Sequence, residues 1–183
     1  MSGTLSIGNE TLFTHSDSTG MAYGSGIPTG TVIQTVIDTY ARTSAQGGVS
    51  VSNSNFDAWL GSGLEVSITF QSTSNKFILT CFVPDYYCQD NASGYNCGFK
   101  YSSDNFASTP TTFSESDIVS SSVGYTSSTD LQHNISIIVG GTVPVANSSI
   151  KIRPYFAKTK STSNDQLMVN GGLATLIIQE IKQ

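Results

Sequence analysis

The sequence of 183 residues contains few charged side chains. Asp, Glu, Lys and Arg together make up 11% of it, compared with roughly 25% in an average soluble domain. The eight Lys and Arg residues never cluster, so the chain lacks the basic patch that binds phosphate backbones. Nucleic acid is therefore not an expected partner.

Long apolar runs are also missing. No window reaches the roughly eighteen consecutive apolar residues of a membrane span. The N-terminal sequence "MSGTLSIGNETLF" has neither the basic region nor the apolar stretch of a signal peptide. We therefore expect a chain that is made in the cytoplasm and does not insert into a membrane.

Cysteine is scarce, and its spacing is not that of a metal site. Cys81, Cys88 and Cys97 cannot all pair within one chain, so we interpret them as packing thiols. Asp85 and Asp90 lie near two of them, but a Cys-x8-Cys spacing without a second pair is a weak zinc signal.

The two histidines, His15 and His133, lie far apart, and neither has another ligand type at metal-site spacing. A Gly-x-Ser-x-Gly nucleophile motif is absent. The acidic residues are scattered, and the neighbours Glu115 and Asp117 fall in a Ser-rich loop, whereas glycoside hydrolysis needs two converging carboxylates. We predict no catalytic residue, no metal and no cofactor, and hence no enzyme.

Hydroxyl side chains take the place of the missing charges. The chain has 29 Ser and 21 Thr, and Phe, Tyr, Val and Ile recur throughout it. A disordered chain would be poor in such aromatic and β-branched residues. The composition predicts one folded domain with a surface rich in hydroxyl groups.

Apolar periodicity identifies the strands. Residues 64–70 alternate apolar and polar side chains, the pattern of a strand with one solvated face. Residues 71–75, "QSTSN", have a length that suits a hairpin connection. The next strand, "KFILTCFV", is apolar on both faces.

Two further segments are apolar on both faces, at Ile135–Val139 and Leu173–Ile181. Such strands need a cover on each side, either a second sheet or a second subunit. Three of them exceed what the interior of one small sandwich requires. The pattern therefore indicates a subunit interface.

The remaining elements complete an all-β chain. Residues 1–29 show little periodicity and read as an arm and hinge, whereas "TVIQTVIDTYA" and "IKIRPYFAK" suit strands. Residues 84–124 are expected to be mostly long loops, with strands at Cys97–Tyr101 and Thr112–Phe113. We predict an antiparallel β-sandwich, jelly-roll-like, over residues 30–183, preceded by a short extended N-terminal arm.

Aromatic residues supply the only candidate recognition sites. Tyr86, Tyr87, Tyr95 and Tyr101 lie among Asn, Ser and Gly, the composition of adaptable recognition loops. The alternative is that these loops pack against a neighbouring subunit. Trp59 is interpreted first as a core residue and second as a platform for a ligand.

The order of the strand sequences resembles a known module. The segments "GIPTGTVIQTV", "FDAWLGSGLEVSITFQSTSNKFIL", "GGTVPVANSSIKIRPYF" and "ATLIIQEIK" are similar to a β-rich module of marine tailed phages, especially cyanophages. Its proteins are usually labelled tail fibre or virion structural protein. The most specific part is Gly63–Leu79, paired with a closing strand that ends in Glu180-Ile181, and Tyr86–Tyr101 departs from the pattern.

This resemblance implies a non-enzymatic component of the virion. The expected protein is a surface appendage, either a tail fibre or a capsid or neck decoration, and a homotrimer made in the host cytoplasm. Its N-terminal arm, residues 1–29, would dock on other virion proteins, and the sandwich would face outward toward a host surface glycan. The alternative is a soluble carbohydrate-binding module in which Trp59 or the Tyr86, Tyr87 and Tyr95 group stacks on sugar rings.

Overall fold

The computed structural model describes residues 3–16, 20–23, 26–43, 46, 48–51, 63–88, 94–113, 119–122, 131–158 and 165–183. Within these ranges the chain is built from fourteen β-strands and has no α-helix, and every strand pair is antiparallel. The predicted all-β antiparallel sandwich is confirmed. No helix in this part of the chain is long and apolar enough to span a membrane.

The strands are β1 (Gly3–Ile7), β2 (Glu10–Ser16), β3 (Gly20–Tyr23), β4 (Val32–Thr43), β5 (Val49–Ser50), β6 (Val66–Thr69), β7 (Lys76–Cys88), β8 (Gly94–Ser102), β9 (Thr111–Thr112), β10 (Val119–Ser122), β11 (Leu131–Thr142), β12 (Ser149–Lys158), β13 (Gln166–Leu167) and β14 (Gly171–Ile181).

Two large sheets form the sandwich. The first sheet has the order β4-β14-β7-β13-β5, with β11 also paired to β7, and the second has the order β10-β8-β12-β6, with β9 paired to β8. The sheets meet along one side, where the backbone N–H of Glu65 donates to Asp38 Oδ2 at 2.8 Å. The strands predicted from "TVIQTVIDTYA", "ISIIV", "IKIRPYFAK" and "LATLIIQEI" are confirmed as β4, β11, β12 and β14.

The core lies between the inner faces of these sheets. Leu79, Leu176 and Ile178 come from the first sheet, Phe99 and Ile152 come from the second, and all are buried. Alternate residues of each strand point to the same face, so the period-2 pattern of the sequence supplies this layer directly.

The predicted hairpin at residues 71–75 is wrong. β6 pairs with β12 in the second sheet, whereas β7 pairs with β14 and β11 in the first. The five-residue segment therefore carries the chain from one sheet across to the other. At this corner the rings of Phe70 and Phe77 lie with their centroids 6.3 Å apart.

A buried carboxylate holds this corner in place. Glu180, near the end of β14, is fully buried. Its Oε1 accepts from the backbone N–H of Gln71 at 2.9 Å and from Asn75 Nδ2 at 2.7 Å, and the backbone N–H of Ser72 lies 3.4 Å away. Because backbone donors that leave a sheet need other partners, the loop turns toward this side chain instead of closing a hairpin.

The described part of the segment of residues 84–124 is more regular than expected. β7 continues to Cys88, and β8 extends the predicted strand at Cys97–Tyr101 to Gly94–Ser102. β8 pairs with β12 over eight residues, from Tyr95↔Lys158 to Ser102↔Lys151. The Asn, Ser and Gly content of this segment suggested loops, but pairing within the second sheet overrides that local preference.

The N-terminal segment also has more regular structure than an arm. β1, β2 and β3 form a three-stranded antiparallel sheet, and every residue of β1 is exposed. The segment is anchored to the sandwich at its base, where Gly30 N–H donates to the Lys182 carbonyl at 2.8 Å. Lys182 N–H donates in turn to the Thr31 carbonyl at 3.0 Å.

Candidate assembly surface

The outer face of the first sheet stands out among the surfaces of the described residues. It is formed by the alternate residues of four neighbouring strands, β4, β14, β7 and β11, that point away from the core. We call it the uncharged face, and define it as Thr35, Ile37, Thr39, Ala41, Leu173, Thr175, Ile177, Gln179, Ile78, Thr80, Phe82, Ser136, Ile138 and Gly140.

Strand register aligns these residues in rows. The central row runs Ile37↔Ile177↔Thr80↔Ile138 across the four strands. Ile138 is 70% exposed and Ile37 is 58% exposed. Burying such a side chain stabilises a protein by roughly 1.5–3 kcal/mol. Because Ile37 and Ile138 stay exposed, the single chain does not gain most of this free energy at these two positions.

The flanking rows are apolar or carry hydroxyl and amide groups. One runs Thr39↔Thr175↔Phe82↔Ser136 and the other Thr35↔Gln179↔Ile78↔Gly140. No residue of the face is ionisable. The next row contains Lys76, at the border of the face, and its Nζ donates to Thr142 Oγ1 at 2.7 Å.

The outer face of the second sheet is different in kind. There Lys151 Nζ lies 2.7 Å from Glu65 Oε1, and an Arg153 guanidinium nitrogen lies 2.8 Å from Glu65 Oε2. Partial burial raises the pKa of Glu65, but hydrogen bonds and charge from these two cations outweigh it, and the net pKa is lowered. These three charged groups are paired within the chain.

Cation–π contacts also lie on the second sheet. Lys100 Nζ lies 4.5 Å from the ring centroid of Tyr155, and the Arg153 guanidinium carbon lies 3.9 Å from that of Phe106. Long basic side chains shield the aromatic surface there. The uncharged face has no comparable cover, since more than half of the large exposed apolar residues of the described chain lie on it.

Each strand that is apolar on both sides has one side in the core and the other on the uncharged face. In β7 the side chains of Phe77, Leu79, Cys81 and Val83 are buried against the second sheet, whereas Phe82 is exposed on the uncharged face. The sequence pattern thus identified strands with one face left uncovered by their own subunit. The pattern did not show that the outer side of β4 belongs to the same surface, where "TVIDTYA" places Thr35, Ile37, Thr39 and Ala41. The lack of any charge at these alternate positions was the signal that could have shown it.

Tyr86 is not a loop residue, which corrects the expectation that it belongs to a recognition loop. It lies in β7, its ring is fully buried, and its hydroxyl donates to Asp165 Oδ2 at 2.6 Å. Asp165 is itself buried. A ring in this position cannot stack on a sugar, because its faces are already packed in the core.

The other aromatic candidates are dispersed. Tyr87 is half-buried in β7 opposite Gln132, and Tyr95 lies in β8 opposite Lys158. Tyr101 is half-buried and packs against the core, with its ring centroid 4.9 Å from that of Phe113. Trp59 lies outside the described residues. The described positions thus form strands of two different sheets rather than one loop cluster.

The thiols of Cys81 and Cys97 are buried and unpaired with each other. Burial raises the pKa of Cys81 to about 12, and burial together with the nearby Cys81 raises that of Cys97 well above its ordinary value. Both pack as apolar core residues. In the part of the chain that the structure describes, no three His, Cys, Asp or Glu residues are grouped as metal ligands.

No family model matches the chain, and no curated protein matches it.

Proposed function

We propose that this protein is a non-enzymatic structural component of a bacteriophage virion, a surface appendage that assembles with copies of itself. It serves as a tail fibre or as a capsid or neck decoration, and its expected oligomer is a homotrimer. Residues 1–29 attach it to other virion proteins, and the sandwich faces outward toward the host surface.

The observation that carries this proposal is the uncharged face. A stable soluble monomer normally keeps its exposed apolar patches small and interspersed with charge. Here a sheet of four long strands presents Ile37, Ile138, Phe82 and Leu173 to solvent, and no residue of the uncharged face is ionisable. A component of a larger particle has a use for such a face, because assembly removes it from water.

The N-terminal sheet supports an attachment role. Leu5 and Ile7 of β1 are both exposed, and β1 is an edge strand among the described residues. A sheet of three short strands gains little stability alone, and an exposed edge can accept a further strand from another protein. We place the contact with the particle on this sheet.

The carbohydrate-binding alternative receives no support from the described residues. It relied on a stacking platform that included Tyr86, and that ring is part of the core. The residues proposed to share its role lie in different sheets or outside the described ranges. We therefore propose one function.

Labelling of intact particles tests the virion assignment. Antibodies raised against the purified chain are applied to caesium-banded particles of the phage that encodes it and are located by negative-stain electron microscopy. We expect label at one fixed position, on the tail, neck or head. Label restricted to infected-cell debris, with none on particles, would contradict the proposal; an antibody against the major capsid protein is the positive control.

A further inference from the structure

We propose that the uncharged face is covered by the uncharged face of a neighbouring copy of this chain. The inference rests on the proposed function, since it names one surface through which copies assemble. A face that covers itself relates two copies by a twofold axis, so the contacts within the expected homotrimer use a second surface. It is carried by three properties of the face: its charge, its area and its central row.

The absence of charge makes the face compatible with itself. When two copies pair about a twofold axis, the same patch lies on both sides of the interface, so a charged patch would bring like charges together in a poorly solvated environment. No residue of this face is ionisable. Lys76 lies at its border, and its ammonium group is hydrogen-bonded to Thr142. The threonines and Gln179 can still donate and accept across the interface.

The area of the face suits a stable protein interface. β14 pairs with β7 over residues 175–181, and β4 and β11 continue the sheet on either side. Four strands at about 4.8 Å spacing and seven residues at about 3.4 Å give a footprint of about 450 Å². The strand pair β4–β14 continues beyond that stretch to Gly171 and Thr43 and brings the footprint to about 600 Å² per copy. Two copies together then cover about 1,200 Å², the lower end of the range for specific interfaces.

The central row provides the apolar core that such an interface needs. Ile37, Ile177 and Ile138 span the width of the sheet in register, with Thr80 between the last two. Packed sheets lie about 10 Å apart, which leaves room for one layer of side chains from each. Isoleucine side chains fill such a layer, whereas they offer a polysaccharide no hydrogen-bonding groups.

The experiment measures the mass of the full chain by light scattering and sedimentation over a dilution series. The wild type is compared with Ile138→Lys and Ile37→Lys, which place a charge at opposite edges of the central row. The matched control is Thr69→Lys, an exposed position on the outer side of β6 in the second sheet. We expect a wild-type oligomer whose dissociation constant rises by about 100-fold or more in each face variant, because burying an unpaired ammonium is strongly unfavourable.

The outcomes separate this inference from the proposed function. An oligomer that persists unchanged in both face variants would overturn the inference and leave the virion role standing. A wild type that is monomeric at about 100 µM, a concentration well above the usual affinity of an interface of this size, would also overturn it. Particle labelling decides the virion role independently of either result.

Two further measurements ensure that loss of assembly is not loss of fold. Ile138 and Ile37 are exposed in the single chain, so each variant is expected to retain the far-ultraviolet circular dichroism of the wild type. The milder Ile138→Thr keeps a β-branched side chain and should weaken assembly less than Ile138→Lys does. Equal weakening by Thr69→Lys would show a general effect of added charge and would count against the face.

Discussion

Removal of the Glu180 carboxylate tests whether this side chain holds the corner between the two sheets. The group is fully buried and accepts from Gln71 N–H at 2.9 Å and from Asn75 Nδ2 at 2.7 Å. Hydrogen bonds to a charged group contribute about 1.5–3 kcal/mol each, and the donors left behind in Glu180→Ala would be unsatisfied. We therefore expect the free energy of unfolding to fall by about 4 kcal/mol.

The assay is urea unfolding followed by far-ultraviolet circular dichroism at one fixed protein concentration, because assembly makes apparent stability depend on concentration. For a chain of this size the loss corresponds to a fall in Tm of about 12 °C. Glu180→Gln keeps the shape and one acceptor oxygen and should lose about half as much. Thr73→Ala, at an exposed position of the same loop, is the control and should stay within about 0.5 kcal/mol of the wild type.

A double-mutant cycle identifies the bond itself. If Asn75 and Glu180 interact as the 2.7 Å distance indicates, the losses in Glu180→Ala and Asn75→Ala should fall short of additivity by about 1 kcal/mol or more. A loss below about 1 kcal/mol in Glu180→Ala would refute the proposed role of the carboxylate.

Three other predictions follow from the described contacts. Cys81 and Cys97 should resist alkylation by iodoacetamide in the folded protein, because burial raises their pKa values, and should react fully in urea; peptide mass mapping checks both, and rapid native labelling would contradict it. Tyr86→Phe should lower the free energy of unfolding by about 1–3 kcal/mol, since it leaves a buried carboxylate without the hydroxyl donor; an unchanged urea midpoint would contradict the burial of that bond. Glu65→Ala should cost about 1 kcal/mol or less at neutral pH because its ion pairs are partly exposed. The folded-state pKa of Glu65 is lowered, so this contribution is present above the pKa of the unfolded chain and is lost as pH falls through the folded value. The difference between Glu65→Ala and the wild type should therefore disappear in acid, as urea midpoints measured against pH would show.

Most of the strands could be predicted from sequence, because side-chain alternation is a local property. The run at 64–70 showed one solvated face, and Val66 and Ile68 are buried while Ser67 and Thr69 are exposed. The segments around β7, β11 and β14 showed two apolar faces, and the structure leaves the outer one of these largely without cover. This part of the candidate surface was therefore visible in the pattern, whereas its extension onto β4 was not recognised.

The environment of Tyr86 could not be predicted, because composition does not indicate what lies across the core. Tyr, Asn and Ser around it are typical of loops, yet pairing of β7 with β11 and β13 makes the segment a strand. The hydroxyl partner, Asp165, lies 79 residues away in sequence. Only the fold brings the two side chains together. Because it also buries the ring of Tyr86, this ring is not a recognition group.

The sequence alone determined an all-β chain, strands apolar on two sides and a surface poor in ions, since these follow from side-chain alternation and composition. The tertiary structure decided which sheet each strand joins. Residues 66–69 and 76–88 are separated by only a short loop, yet they pair with different strands and lie in opposite sheets. Glu180, more than 100 residues away, accepts from the backbone of that loop. Such a contact is non-local, and no local pattern in the sequence of the loop specifies it.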